Sequence, residues 1–331
     1  MSEKHYSAAL EIIRRRRLTA QSDREKHILE LRTRVPEIEE INNMISQASV
    51  NILKVISKGE NVREEMKKLE EQNTEAQEMM RGLLVKNGYP ENYMDINYTC
   101  RRCSDTGFTS EGRCSCLEEL AGKLAVKELN ESSPLNLSTF STFDLEYYRG
   151  VSTDTDSNCY STMSNIYNYC RKYASSFSHD SANIFMSGET GLGKTHLSLA
   201  IAERLLSENY SVVYGSVINF IDRIESEHFG RSAGDTLSVL INAELLILDD
   251  LGSEYDKQFT TATLYNIINT RLNKRLPTII STNLSFEEIE ARYEQRIVSR
   301  IISEYDYLPF SGNDVRQLKK AASIRQKRNQ G

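Results

Sequence analysis

Apolar residues recur at helical spacing through the first 88 residues, which are otherwise rich in charged side chains. They form three stripes, at Tyr6, Leu10 and Ile13, then at Ile38, Ile41, Ile45, Ala48, Ile52 and Val55, and then at Val62, Met66, Leu69, Met80 and Leu83. Spacings of three and four residues place such positions on one face of an α-helix. The pattern breaks at Asn87, Gly88 and Pro90. We therefore predict three amphipathic helices that form a small bundle, or an extended arm that needs a partner surface.

Further along the chain, short continuous apolar runs alternate with helical segments. The runs cover 183–187, 244–250 and 278–283, and helical periodicity extends from His196 to Leu206. Short continuous apolar runs are typical of strands that are buried in a parallel sheet. The alternation predicts an α/β fold, with a parallel sheet flanked by helices.

The loop after the first of these runs has a complete phosphate-binding signature. Residues 188–195 read Gly-Glu-Thr-Gly-Leu-Gly-Lys-Thr, which matches G-x-x-x-x-G-K-[ST]. Glycines let the backbone bend tightly and approach a phosphate, and successive N–H groups at the start of a helix form an anion cradle. The predicted nucleotide-binding residues are Gly188, Glu189, Thr190, Gly191, Leu192, Gly193, Lys194, Thr195 and the following His196. A chance glycine-rich turn is the alternative, which the strand before the loop and the helix after it disfavour.

The polar residues that end the next two runs complete a nucleotide site. Asp249 and Asp250 end the second run, and Asn283 ends the third. In a parallel sheet the carboxyl ends of the strands meet at one edge. We predict that Thr195 and Asp249 bind Mg²⁺, that Asp250 orients or deprotonates the attacking water, and that Asn283 contacts the γ-phosphate or positions water. Glu254 is a further candidate for activating the water. ATP or ADP with Mg²⁺ is the predicted ligand, and Lys194 would reach its β- and γ-phosphates.

Four of the six cysteines cluster as C-x2-C-x10-C-x-C, at Cys100, Cys103, Cys114 and Cys116. Two close pairs joined by a short polar loop suit a tetrahedral Zn²⁺ site with four thiolate ligands. Such a site is structural, because no coordination position stays open for a substrate. Free or redox-active thiols are the alternative. Cys159 and Cys170 lack such partners, so we predict that they are packed in the core.

Composition limits the classes of function that remain. The chain has 331 residues and a net charge of −6, so any contact with nucleic acid must be local. No apolar stretch approaches the ~20 residues that span a membrane, and no signal peptide precedes the charged N-terminus, which predicts a cytoplasmic protein without a membrane partner. The basic run Arg14–Arg17 is interpreted as a solvated helix face in preference to a nucleic-acid contact.

We predict three parts along the chain. A helical partner-binding region occupies 1–88, and a cysteine module with a linker occupies 89–131. A nucleotide-binding domain with a C-terminal lid and a basic tail follows over 132–331.

Together the motifs resemble the AAA+ ATPases of the bacterial helicase-loader group, the DnaC/DnaI-like proteins. The resemblance covers about residues 134–318 and is carried by Gly191-Leu-Gly-Lys-Thr-His-Leu197, Leu248-Asp-Asp-Leu-Gly252 and Ser281-Thr-Asn283. It implies an AAA+ P-loop NTPase domain with a small helical lid, which hydrolyses ATP and self-associates through AAA+ interfaces. It also implies that the N-terminal helical domain and zinc module bind a DnaB-type replicative helicase, with single-stranded DNA as a second partner.

The resemblance implies roles for several arginines. Arg296 and Arg300 match an R-x-x-x-R helix whose second arginine reaches the ATP of a neighbouring subunit. Helical i,i+4 spacing puts both on one face, and a guanidinium suits the charge of a γ-phosphate in the transition state. A pair of surface arginines is the alternative. Arg316 resembles a second sensor on the lid, and Arg271 is a weaker candidate for an additional contact.

Two further contacts are predicted, the first from the same resemblance and the second from the aromatic and basic residues themselves. Phe140 and Phe143 either flank the adenine base or cover the edge of the sheet. A DNA contact is placed around Phe220 to Arg231, where aromatic and basic side chains would stack bases and hold phosphates.

The predicted function is an ATP-dependent loader that binds the replicative helicase of a bacterium and helps to place it on single-stranded DNA. An IstB-like helper of DNA transposition remains open, and it would bind a transposase and duplex DNA. A DnaA-like initiator or regulator is disfavoured, because the short tail after the lid has no room for a duplex-reading domain. A small-molecule P-loop kinase would need an acceptor site, which nothing in the sequence suggests.

Overall fold

The computed structural model describes residues 3–44, 62–131, 138–254, 258–293 and 295–321. The chain divides into two compact units, one within Ser7–Glu118 and one within Glu119–Gly331 that also takes in Met1–Tyr6. The three-part functional division of the sequence stays a prediction. No described helix combines the length and the apolar character that crossing a membrane requires.

Long helices dominate the first unit and confirm the predicted helical N-terminal region. Helix α1 spans Glu3–Arg34, residues 37–44 are helical, and α2 spans Val62–Lys86. A small core joins them, formed by Leu31, Val35, Ile38, Met80 and Leu84. The predicted stripe positions from Ile45 to Val55 lie outside the described residues.

A short hairpin and a helix follow in the chain. Strands β1 (Phe108–Thr109) and β2 (Gly112–Arg113) pair antiparallel, and α3 spans Ser115–Asn130. Asn130 is the last residue of this helix and belongs to the second unit, as does strand β4 (Val212–Ser216), which its amide side chain contacts. It donates to the Val212 carbonyl oxygen at 2.6 Å and accepts from the Tyr214 N–H at 3.1 Å. The amide therefore satisfies polar groups along an edge of the sheet.

The second unit is built on a five-stranded sheet in the order β4-β5-β6-β3-β7, in which every neighbouring pair is parallel. The remaining strands are β3 (Asn183–Ser187), β5 (Leu245–Leu251), β6 (Thr278–Thr282) and β7 (Tyr305–Pro309). The helices are α4 (Cys159–Ser175), α5 (Lys194–Ser207), α6 (Val217–His228), α7 (Thr236–Asn242), α8 (Gln258–Asn273), α9 (Phe286–Arg292) and α10 (Gln295–Glu304), and residues 315–321 are also helical. The predicted α/β class is confirmed.

Each face of the sheet has its own core. Leu245 and Ile247 pack with α4 and α5, whereas Leu246 and Leu248 pack with α6, α7, α8 and α10. Successive strand residues point to opposite faces, so a continuous apolar run fills both cores. Cys159 and Cys170 are fully buried, as the sequence predicted.

The structure does not favour Arg271, the weaker candidate for an additional contact, in that role. Its side chain is 0% exposed, and its guanidinium donates to the carbonyl oxygens of Leu240, Ala243 and Pro277 and to the Thr278 hydroxyl. These hydrogen bonds use the donors that a ligand would need. A buried guanidinium is stable only when its donors are satisfied in this way.

Candidate functional site

The phosphate-binding loop connects β3 to α5 and depends on glycine at two points. Gly191 and Gly193 have φ angles of 86° and 94°, in the left-handed region that favours glycine. A Cβ on Gly191 would lie 2.1 Å from a carboxylate oxygen of Asp314, and a Cβ on Gly193 would lie 2.7 Å from the ring of Phe143. The loop can therefore keep this shape only with glycine at both positions.

Lys194 begins α5 and turns its side chain back into the loop. The residue is 9% exposed, and its ammonium donates to the carbonyl oxygens of Gly188 and, at 2.9 Å, Glu189. Burial lowers the pKa of Lys194, while the charges of Asp249 and Asp250 act in the opposite direction. The loop thus holds one positive charge close to two carboxylates.

Asp249 is the centre of a hydrogen-bond cluster built from three different elements. Its carboxylate accepts hydrogen bonds from Thr195 Oγ1 at 3.0 Å, from the Tyr214 hydroxyl at 2.6 Å and from the Ser281 hydroxyl. Strand β5 lies between β4 and β6, which carry Tyr214 and Ser281. Burial, together with the charge of Asp249, raises the pKa of Tyr214. The two side chains predicted to bind Mg²⁺ therefore offer their oxygens at one place, as a hard cation requires.

Asp250 differs from its neighbour in both exposure and backbone. It is exposed, its φ is 60°, and its N–H donates to Ser281 Oγ at 3.0 Å. A non-glycine residue in the left-handed region is uncommon and often marks a functional position. Asn283 follows β6, which lies between the strand of the phosphate loop and the strand of the two acids. The fold thus brings Asn283 to the same edge of the sheet as both.

These side chains open into one cavity of about 470 Å³. Of the residues that the sequence singled out, it is lined by Phe143, Thr190, Gly191, Leu192, Gly193, Lys194, Thr195, His196, Asp249, Asp250, Asn283 and Arg316. Gly188 and Glu189 contribute carbonyl oxygens behind the lysine instead. The structure therefore brings the predicted phosphate, metal and sensor residues together, and their roles stay predictions.

Glu254 does not line this cavity. Its carboxylate accepts hydrogen bonds from the Gly252 N–H at 3.0 Å and from the Tyr293 hydroxyl. Only 3% of the residue is exposed. It holds the loop after β5 in place, so the structure does not favour it as the group that activates water.

Aromatic side chains form the other end of the cavity. The Phe143 ring stacks on Tyr148 and Tyr167, with centroid separations of 5.9 and 5.7 Å, and its neighbour His196 meets it edge to face at 5.2 Å. Burial lowers the pKa of His196. Phe140 packs against Tyr167 and is absent from the cavity lining. The arrangement suits a flat base beside Phe143, whereas Phe140 packs against α4.

Arg296 and Arg300 lie on α10 and do not line the cavity of their own chain. Their guanidinium carbons lie 4.3 and 5.7 Å from the centroid of the Tyr265 ring on α8. They therefore share one face of the helix, as the i,i+4 spacing predicts.

The four clustered cysteines lie in the first unit, with all four sulfurs within 4.8 Å of one another. The closest pairs are Cys100 with Cys114 at 3.8 Å and Cys103 with Cys116 at 3.5 Å. Sulfurs at the usual distance from a tetrahedral zinc ion are separated by about 3.8 Å. The cluster therefore fits zinc, and the four thiolates would hold it as a structural ion.

Backbone geometry around Asp105 explains why the four sulfurs converge. Its buried carboxylate accepts the N–H groups of Thr99 and Cys100, both at 2.8 Å. Cys114 follows the β1–β2 hairpin and Cys116 lies in the first turn of α3, which accounts for the close C-x-C pair.

The Cys103 thiol ionises more readily than an ordinary cysteine. Burial opposes ionisation, but hydrogen bonds from the backbone of Gly107 and Thr106 and from neighbouring thiols lower the pKa of Cys103, whereas burial and the hydrogen bond with Cys103 raise the pKa of its partner Cys116, so that the pair ionises first at Cys103. A thiolate is the form that binds a metal.

We expect the purified protein to carry one zinc ion per chain, and Cys100→Ser or Cys114→Ser to lose it. The binding free energy of a structural zinc is folding free energy, so protection from hydrogen exchange should fall around residues 99–117. Cys170→Ser is the matched control, because this buried cysteine lies far from the cluster in sequence and outside it. Elemental analysis that finds no zinc in protein prepared without chelator would contradict the assignment.

Three residues of the cavity region were not assigned a role from the sequence. Tyr214 and Ser281 anchor Asp249, and Lys319 lines the cavity with its ammonium 5.6 Å from the Tyr147 ring centroid. A polar residue in the middle of an apolar strand was the available signal for Tyr214. Lys319 is the first residue of the basic tail that the sequence predicts.

Comparison with known proteins agrees with this geometry. Residues 170–323 match the family model described as IstB-like ATP binding protein. The replicative helicase loader DnaC of Escherichia coli K12 is 28% identical over 133 residues, which are 40% of this chain and 54% of that protein. The DnaC of Buchnera aphidicola subsp. Baizongia pistaciae is 25% identical over 134 residues, again 40% and 54% of the two chains. The chain thus spans about half the length of these relatives.

Solved structures include a crystal structure of the DnaC helicase loader, which is similar with a TM-score of 0.46 and 20% identity over 54% of this chain and 100% of that one. The family match covers the phosphate loop, both acids, Asn283 and Arg316. Residues 170–323 therefore resemble an IstB-like ATP-binding protein over the part of the chain that carries most of the cavity's polar residues.

Proposed function

We propose that the protein is an ATP-dependent loader that binds a bacterial replicative helicase and helps to place it on single-stranded DNA. The observation that carries the proposal is the cavity in which the phosphate loop, Asp249, Asp250 and Arg316 converge. The sequence of the chain resembles proteins named replicative helicase loader DnaC. The protein would act in the cytoplasm.

The cavity supports ATP hydrolysis as the reaction. Lys194 and the loop N–H groups would bind the phosphates, and Thr195 with Asp249 would hold Mg²⁺, which supplies charge neutralisation when bound. Asp250 is exposed to the cavity and would orient or deprotonate the attacking water, with Asn283 beside it. Arg316 would contact the γ-phosphate from the lid. ADP would leave the same site after hydrolysis.

Arg300 would complete the site of a neighbouring copy, with Arg296 as a lesser contributor. Two observations support this role. The arginines share one helix face, and neither lines the cavity of its own chain. Self-association through AAA+ interfaces would bring that face to the cavity of the next subunit.

The DNA contact proposed from sequence needs one correction. Phe220 is 5% exposed and belongs to the core, so it cannot stack bases. Phe229 is 59% exposed, and Arg231 lies over its ring at 5.4 Å. His228 and Phe259 adjoin the same ring, with centroids 5.1 and 6.3 Å away. Arg231 also lies 3.9 Å from a Glu225 carboxylate oxygen, so the exposed Phe229 ring carries the proposed contact with single-stranded DNA, whose bases stack on exposed rings.

The helical N-terminal region would bind the helicase. Leu18 and Leu29 on α1 are each 66% exposed. Their spacing of eleven residues is close to three helical turns, so they share one face. Exposed apolar residues on one helix face suit docking to a partner protein.

An IstB-like helper of transposition is the second candidate, because the matched family is described as IstB-like ATP binding protein. Such a protein would bind a transposase in place of the helicase. The two functions share the ATPase site and differ in the partner.

A binding experiment separates the two functions. The full chain, mixed with the purified hexameric helicase of its host, should co-elute with it in the presence of ATP and Mg²⁺. The double substitution Leu18→Glu and Leu29→Glu should weaken this binding by at least about tenfold, because charges on a docking face must be desolvated. Thr19→Glu is the matched control, since it adds a charge to an exposed neighbouring position on the same helix. Failure of the wild-type chain to co-elute would contradict the helicase-loader proposal, and capture of a transposase instead would favour the transposition helper.

A further inference from the structure

Tyr265 lies beneath both arginines of α10. The ring is half-buried on α8, and the guanidinium carbons of Arg296 and Arg300 lie 4.3 and 5.7 Å from its centroid. Both distances are within the range of a cation–π interaction. One aromatic ring therefore contacts both cations whose proposed role lies at the site of a neighbouring subunit.

The ring restricts the motion of a long cationic side chain. An unrestrained arginine samples many rotamers, and it loses that freedom when it must meet a phosphate at one position. A guanidinium held by an aromatic face keeps its in-plane N–H donors available for an anion. Preorganised donors stabilise transition-state charge more than donors that must first be ordered.

We propose that Tyr265 is a positioning residue, which holds Arg300 and Arg296 ready for the ATP of a neighbouring subunit. The inference rests on the trans role of Arg300 in the proposed function. It assigns to Tyr265 an effect on the site of the adjacent chain and none on the cavity of its own, which it does not line.

The aromatic face, and not the hydroxyl, should carry the effect. Tyr265→Phe keeps the ring and should leave ATP turnover within about twofold of wild type. Tyr265→Leu keeps an apolar side chain against the core but removes the ring, and should lower kcat about tenfold with little change in KM. ATP hydrolysis is measured on the full chain with Mg²⁺ and an oligo-dT strand, after matched thermal unfolding confirms that both variants are folded.

Subunit mixing separates positioning from a general loss of structure. Chains with Lys194→Ala supply an arginine but no functional phosphate loop, and chains with Arg300→Ala supply the loop but no arginine. Their mixture should hydrolyse ATP. Adding Tyr265→Leu to the Lys194→Ala chain should then lower the activity of the mixture about tenfold, whereas adding it to the Arg300→Ala chain should leave activity unchanged.

Each outcome bears on a definite claim. An equal loss of activity on either chain, or an equal loss with Tyr265→Phe, would overturn the positioning role and leave the trans arginine standing. If Arg300→Ala itself turns over ATP at the wild-type rate, the trans arginine fails and the role of Tyr265 fails with it.

Discussion

Lys194→Ala is expected to abolish ATP binding at concentrations that saturate the wild-type protein. The lysine supplies the cavity's one buried side-chain cation among the described residues, and charge-assisted hydrogen bonds to phosphate are the strongest polar contacts in such a site. Removing it should weaken affinity for ATP by at least about 100-fold. Titration calorimetry with ATP and Mg²⁺ measures the change directly.

Asp250→Asn is the matched comparison, because it tests ATP hydrolysis and not ATP binding. The Asp250 carboxylate is exposed and lines the cavity, and it takes no part in the hydrogen bonds that hold Asp249. The substitution should leave ATP affinity close to wild type and remove turnover, because an amide cannot accept the proton of the attacking water. If the Lys194→Ala protein hydrolyses ATP at the wild-type rate, the phosphate-loop assignment is wrong.

Arg300→Ala should reduce turnover by ~10³–10⁵, the usual loss when an arginine finger is removed. ATP affinity should remain nearly intact, because the binding cavity belongs to the chain that keeps its own phosphate loop. Steady-state hydrolysis and a separate binding titration distinguish the two quantities. A parallel loss of affinity would place Arg300 in the cavity of its own chain.

A mixture of Lys194→Ala and Arg300→Ala chains decides between the trans and cis arrangements. Neither variant should turn over ATP alone, and together they should recover part of the activity. Recovery requires Arg300 of one chain to meet the phosphate loop of another. No recovery in an oligomer shown to contain both variants would reduce Arg300 to a surface arginine.

Local sequence signatures were sufficient for the parts of the site that depend on short spacings. The phosphate loop needs glycine at fixed offsets, and Asp249 and Asp250 lie at the end of an apolar run that forms a buried strand. The cysteine spacing likewise predicted a cluster whose sulfurs do converge. In each case the functional side chains and the backbone that positions them are close together in the sequence.

Residues whose partners are distant in sequence were predicted less well. Arg271 is satisfied by carbonyl oxygens from two separate segments, one at Leu240 and Ala243 and one at Pro277, and no local pattern reveals them. Tyr214 reaches Asp249 only because β4 and β5 are neighbours in the sheet.

The burial of Phe220, in contrast, could have been predicted from the local sequence. The buried positions of α6 are Val217, Phe220, Ile221 and Ile224. Spacings of three, four and seven residues predict a core face, and they place Phe220 inside it. The exposed aromatic residue is Phe229, just beyond the end of the helix.

The central claim is that ATP binding by this chain places the helicase on DNA, and a loading assay tests it most directly. Circular single-stranded DNA that carries a labelled annealed oligonucleotide is coated with single-strand DNA-binding protein, and release of the oligonucleotide by the host's hexameric helicase is followed by fluorescence. We predict little release with the helicase alone, rapid release when the wild-type chain and ATP are added, and no stimulation by Lys194→Ala. An equal rate of release with and without the wild-type chain, at concentrations where it binds the helicase, would contradict the account.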